Sequence, residues 1–262
     1  MKNLIKMDFF ITKKNKATWI IPTFVIIMSI ISLYISFKSN ESSTMKSIMT
    51  QVNFNRNNPT FIQCCTDLLT GNFLTLFILI FVTLVQGQEY SSGYIKNIYG
   101  LVKEKYKLLI PKYIIILGFV ILLIITTVVS VIIGRLFFLD YNKLGDFQLY
   151  FKFMLTQLFL NFVFGVGVLC TTVIFKKVNI ALSIGIVYLM FFSDMLYSFI
   201  NNLFKTYKFK IDNYMLLGNI TNLRIDSSNN EYLRSIIVGS VFLCIFILIA
   251  SIVISKKDLK IE

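Results

Sequence analysis

The sequence predicts an all-α membrane protein with six transmembrane helices, and three observations carry that expectation. Of the 262 residues, 56% are hydrophobic and only 15% are charged, where a soluble domain carries charge on about a quarter of its residues. The mean hydropathy is +0.74. The apolar residues gather in six runs, each approaching the roughly 20 residues that cross a bilayer core about 30 Å thick. No internal repeat and no Pro- or Gly-rich linker divides the chain, so residues 1–262 read as one membrane domain.

In chain order, residues 2–13 read as an interfacial helix. At 100° per residue Lys2, Lys6 and Lys13 fall in one arc, while Leu4, Met7, Phe10 and Ile11 share another face. Such a segment lies in the headgroup plane with its lysines toward anionic lipid; the alternative is a basic flank with no helix of its own. The first span is expected at about 17–37. Its apolar part is too long for a cleavable signal, and no small-residue cleavage site precedes Lys38. Pro22 can kink its first turns. Ser29, Ser32 and Ser36 follow Thr18 and Pro22 along one stripe, which marks helix contact or, in a transporter, a pathway lining.

Residues 38–66 read as an outside loop with a short helix near Met45–Phe54, followed by a second span at about 68–88. Cys64 and Cys65 are adjacent, a spacing that disulfide geometry disfavours, and Cys170 and Cys244 read as small apolar residues inside spans. Pro111 suits the first turn of a third span at about 112–133, where its missing N–H is not needed. The fourth span, 149–175, carries Gln157, Asn161 and Gly165 at i, i+4 and i+8. Amides inside a membrane need protein partners. The fifth, 178–200, has Ala181 and Gly185 in a small-xxx-small contact pattern. Asp194 is the one acid well inside an apolar run; it is a functional candidate, or the cap of a further short helix if the span ends early. Met195–Leu217 reads as a helical hairpin dipping into the outer leaflet, giving short extracellular helices before a sixth span at 235–255.

The net charge is +13. With the N-terminus inside, fifteen of the 26 basic residues fall in short inside segments, and eight of the thirteen acids fall outside. The positive-inside rule then puts both termini in the cytoplasm, and the basic excess suits anionic lipid rather than nucleic acid. No histidine is present, which removes His-based triads and HExxH zinc chemistry.

The most informative stretch follows the second span: Gln88-Glu89-Tyr90-Ser91-Ser92-Gly93-Tyr94-Ile95-Lys96-Asn97. Beyond Gly93, Ile95, Ile98, Tyr99, Val102 and Tyr106 would share one helical face and Lys96, Lys103 and Lys107 a neighbouring one. Gly100 disfavours one continuous helix by about 1 kcal/mol, so a short helix near Ser91–Tyr99 and a second turn before Pro111 are expected. The alternative is an ordinary basic loop ordered by lipid headgroups.

The order Glu89, Gly93, Ile95-Lys96-Asn97 and a basic segment entering the third span resembles the ABC-2 type permeases of ATP-binding-cassette transporters. That family's loop commonly reads Glu, a few residues, Gly-Thr-Ile-Lys; Tyr94 stands where Thr is usual, and Lys103-Glu104-Lys105 replaces the usual Ser-Arg. The ending Ser255-Lys256-Lys257-Asp258-Leu259 is similar too, so the resemblance covers essentially the whole chain. It implies a permease that binds no cofactor itself and works with two copies of an ABC ATPase, which hold ATP and Mg. A second permease subunit, identical or homologous, would pair through the first and fifth spans. Glu89, Gly93, Ile95, Lys96, Asn97, Ile98, Tyr99 and Lys103 would form the ATPase-coupling element. Ser29, Ser32, Ser36, Gln157, Asn161, Ala181, Gly185 and Asp194 are candidates for the pathway or the dimer interface. The chain has no GxxxxGK[ST] phosphate loop, so no ATPase activity of its own is expected. Similar permeases of low-GC Gram-positive bacteria export amphipathic peptides or confer lantibiotic and bacitracin immunity. The resemblance thus implies a bacterial cell membrane protein extruding membrane-active peptides. The alternatives are efflux of small hydrophobic drugs or ions, or a non-transporting immunity or scaffold protein.

Overall fold

The computed structural model describes residues 2–41, 61–91, 104–138, 146–190, 196–203 and 211–256. All regular structure among them is helical: α1 (Lys2–Lys14), α2 (Ala17–Glu41), α3 (Phe61–Thr70), α4 (Asn72–Ser91), α5 (Leu109–Phe138), α6 (Phe147–Phe175), α7 (Val178–Met190), α8 (Leu196–Leu203), α9 (Leu216–Asn222) and α10 (Asn229–Lys256). Short 3₁₀ turns at Lys105–Leu108 and Ile211–Tyr214 precede α5 and α9. The expected helix near 45–54, residues 92–99 of the one expected near 91–99 (Ser91 closes α4), the residue Asp194 and the tail 257–262 lie outside the described residues.

Local chemistry explains the helix ends. Asp146 caps α6 by accepting the Gln148 N–H at 3.0 Å, and Lys176 ends it in a left-handed conformation (φ 56°) while its N–H returns to the Thr172 carbonyl. Ser228 and Glu231 form a capping box on α10, with the Ser228 N–H donating to Glu231 at 2.8 Å and the Glu231 N–H to the Ser228 hydroxyl. Pro111 sits in the first turn of α5. Pro22 lies inside α2, which continues through it.

One expected span differs, and another is described only in part. The second was expected from residue 68, yet the chain bends at Gly71 and Phe61–Thr70 is a separate helix. The Thr70 hydroxyl reaches back to the Asp67 carbonyl at 3.3 Å, one of the carbonyls that the end of α3 leaves without an intrahelical donor. Residues on both sides of the bend are apolar, which is why hydropathy runs straight across it. The fifth was expected over 178–200; α7 is described as far as Met190, α8 covers Leu196–Leu203, and residues 191–195 between them lie outside the described residues. The 13 described residues of α7 rise about 20 Å. Five described helices are long and apolar enough to cross a membrane: α2, α4, α5 with its preceding turn, α6 and α10.

The most buried of these are α4 and α6, with 72% and 67% of their apolar windows covered against 11% for α10, so α4 and α6 form the centre. Phe81 of α4 stacks on Phe119 of α5, and Phe153, Leu160 and Leu169 fill the α6 side of the same core. Helix α2 lies along α5, α10 along α6, and α7 along α4. The α4–α7 approach is close because Gly87 faces Val178 and Gly185 faces Leu79 with no room for a Cβ at either glycine. The outward faces of α2 and α10 remain apolar, with Trp19, Ile27 and Ile31 on one and Ile237, Val241 and Leu248 on the other, as a lipid-facing surface requires.

Candidate functional site

The end of the bundle where α1, α4 and α5 meet contains a buried charged node. Helix α1 turns a polar face into the protein: Asp8 and Thr12, one turn apart, are buried, while Phe9 and Phe10 are exposed. The Thr12 hydroxyl is satisfied by the Asp8 carbonyl at 2.8 Å. Lys112, in the first turn of α5, forms an ion pair with Glu89 in the last turn of α4. Both side chains are only 7% exposed, so the pair works in a low-dielectric setting where losing one partner is costly. Asp8 feels both of these charges. Burial pushes its carboxyl up from 3.8 to about 6, with Lys112 pulling it down and Glu89 adding to the rise.

A second set of bonds fixes α1 to this node. Asn15, between α1 and α2, accepts the Ala17 N–H at 3.0 Å, capping α2, and its amide donates to Gln88 of α4 at 2.8 Å. The Thr18 hydroxyl donates to the Thr12 carbonyl at 2.6 Å, and the Trp19 indole to the Lys13 carbonyl at 3.0 Å. These are among the carbonyls that a helix C-terminus leaves without intrahelical donors, so side chains of α2 complete α1. The node therefore ties the N-terminal helix to both flanks of residues 92–103. Of the expected coupling residues only Glu89 lies among the described residues; Gly93, Ile95, Lys96, Asn97, Ile98, Tyr99 and Lys103 do not.

A second polar cluster anchors α9 at the end where α6 and α10 begin. Leu216 to Ile220 are all buried. The Gln157 amide donates to the Ile220 carbonyl at 2.9 Å, and the Asn161 amide donates to the Gln157 carbonyl at 2.9 Å and to its side-chain oxygen at 3.2 Å. Asn219 receives the Ser235 hydroxyl of α10 at 2.8 Å and donates to the Met215 carbonyl at 2.8 Å. Gln157 lies ten residues past Phe147, about 15 Å along α6, so α9 reaches well into the bundle. Gly218 rests against the Asp212 backbone, which only a residue without a side chain permits.

The other expected residues divide clearly. Ala181 is buried, and Gly185 meets Leu79 of α4, so that small-residue face packs within the chain. Ser29 is buried, and its hydroxyl has no hydrogen-bond partner among the described residues. Ser32 is half-buried, and Ser36 is described only as part of α2. Buried Thr83, Thr127, Ser130 and Thr172 bond back to their own helices and need no water. Burial pushes the Cys65 thiol up to about 12, which keeps it protonated and inert. Among the described residues no cluster of His, Cys, Asp and Glu could hold a metal.

Sequence reasoning missed Asp8, Lys112, Asn219 and Ser235. One signal was present for the first two: Asp8 is the single acid in an otherwise basic helix, and Lys112 is a charge at a span start beside Pro111. No protein-family model matches the sequence, and no curated protein matches it.

Proposed function

We propose that this chain is the ABC-2 type permease subunit of an ATP-driven exporter in a bacterial cell membrane. It would have six spans with both termini in the cytoplasm. The observation that carries this reading is the sequence order Glu89, Gly93, Ile95-Lys96-Asn97 between two apolar helices, with Glu89 paired to Lys112 across that segment. A loop whose two flanks are bonded to each other and, through Asn15 and Gln88, to the N-terminal helix can deliver a push to the spans instead of bending under it. The push would come from a separate ABC ATPase, two copies per complex, which holds ATP and Mg. A second permease subunit would complete the pathway. An interior rich in phenylalanine, with few charges in the spans, suits an amphipathic peptide as cargo better than a free ion.

The test is co-purification with an ABC ATPase and measurement of its turnover in reconstituted membranes. The double variant Gly93→Val/Lys96→Ala is expected to lose the complex or uncouple hydrolysis. An unchanged complex with unchanged turnover would remove this role from the loop. Stimulation of hydrolysis by added amphipathic peptides supports the cargo class. Stimulation by small hydrophobic drugs alone moves it to drug efflux, and an ATPase that neither binds nor responds leaves a non-transporting membrane scaffold.

A further inference from the structure

The carboxylate of Asp8 is the unusual group in the node. It is 6% exposed, and among the described residues no hydrogen bond reaches its side-chain oxygens. Among the described residues the cation beside it, Lys112, is already engaged by Glu89. Two carboxylates therefore share one ammonium, and among the described residues no donor stabilises the charge of the second. The charged groups facing Asp8 among the described residues are Lys112 from α5 and Glu89 from α4. Helix α2, also packed on α1, brings Thr18 and Trp19 to the corner, and neither titrates. A metal cation is a poor occupant, because the Lys112 ammonium already stands at these carboxylates. The ligand that satisfies such an oxygen without further side chains is a proton.

We infer that Asp8 is a proton-binding site whose occupancy sets how firmly α1 docks on the ends of α4 and α5. The proton adds to a carboxylate oxygen and comes from water, and no other bond changes. The direction follows from linkage. The docked carboxyl titrates near 6 and an undocked one near 3.8, so docking takes up a proton between these values. Docking is favoured below that window and weakens as pH rises through 6. Between about pH 7.5 and about pH 5 the ratio of docked to undocked helix rises about tenfold.

The experiment uses the full chain in lipid nanodiscs. Infrared difference spectra read the C=O stretch of a protonated carboxylic acid as pH is lowered. Emission from Trp19, the single tryptophan, reads the α1–α2 corner. The expected result is an acid band with a midpoint near 6 that Asp8→Asn abolishes, with Trp19 emission following the same midpoint and becoming flat in that variant. Glu89→Gln provides an independent arm: it frees Lys112 for Asp8, so the midpoint must fall. The proton site is overturned if the band is absent, persists in Asp8→Asn or keeps its midpoint in Glu89→Gln. Control of docking is overturned if the band titrates and Trp19 emission does not.

Discussion

Lys112 holds together a site that would otherwise be two buried carboxylates. Exchanging it for an uncharged residue leaves Glu89 and Asp8 facing each other in a desolvated setting, the situation in which loss of a partner costs about 3–5 kcal/mol. Lys112→Met is therefore expected to lower the unfolding free energy by that amount in a denaturant titration in detergent. The pair Glu89→Leu/Lys112→Met should recover most of the loss, because it removes the orphaned charge along with the cation. Asp8→Asn acts in the opposite direction. It replaces a carboxylate that no hydrogen bond reaches among the described residues and should leave the protein at least as stable at neutral pH, with a flatter pH dependence between about 4 and about 6. None of this is visible in a hydropathy profile. A lone acid in a basic helix looks like a solvated residue until the fold shows which side of the helix faces the protein.

At the scale of elements, Gln157 and Gly185 show why helix periodicity reveals contact but not its partner. The stripe at 157 and 161 announces amides that need protein, and they find it in α9 of the same chain. Gln157→Leu leaves the Ile220 carbonyl unbonded, a cost of about 1–3 kcal/mol. Hydrogen exchange should accelerate in residues 216–222 while α6 stays protected. The small face of α7 meets α4, so Gly185→Leu should force Leu79 out of its place and cost about 1–3 kcal/mol, measured as a lower melting temperature with unchanged helicity. Boundaries were less legible than faces. The bend at Gly71 occurs inside an apolar stretch, and a membrane span is recognised by apolarity alone. The buried α9 is only 7 residues long, too short for any periodicity to announce it.

For the whole molecule, composition was enough to reveal a helical bundle built for lipid, because a chain this apolar has few other ways to satisfy its backbone. The order of layers was not legible. That α4 and α6 are central and α2 and α10 peripheral depends on where glycines allow approach, at Gly87, Gly185 and Gly239, which is a property of pairs of helices rather than of any one segment. The Glu89–Lys112 pair also bears on how such a chain is made. The two residues are 23 positions apart and belong to consecutive spans, so both leave the ribosome within one hairpin. A charge at the centre of a span costs about 2.5–3.5 kcal/mol on insertion scales, a cost that Glu89 and Lys112 avoid by standing at helix ends. Paired beforehand, α4 and α5 can enter as a neutral unit, while Asp8, synthesised earlier, waits at the surface for that unit to arrive. On this ordering α1 is expected to dock after the α4–α5 hairpin has closed.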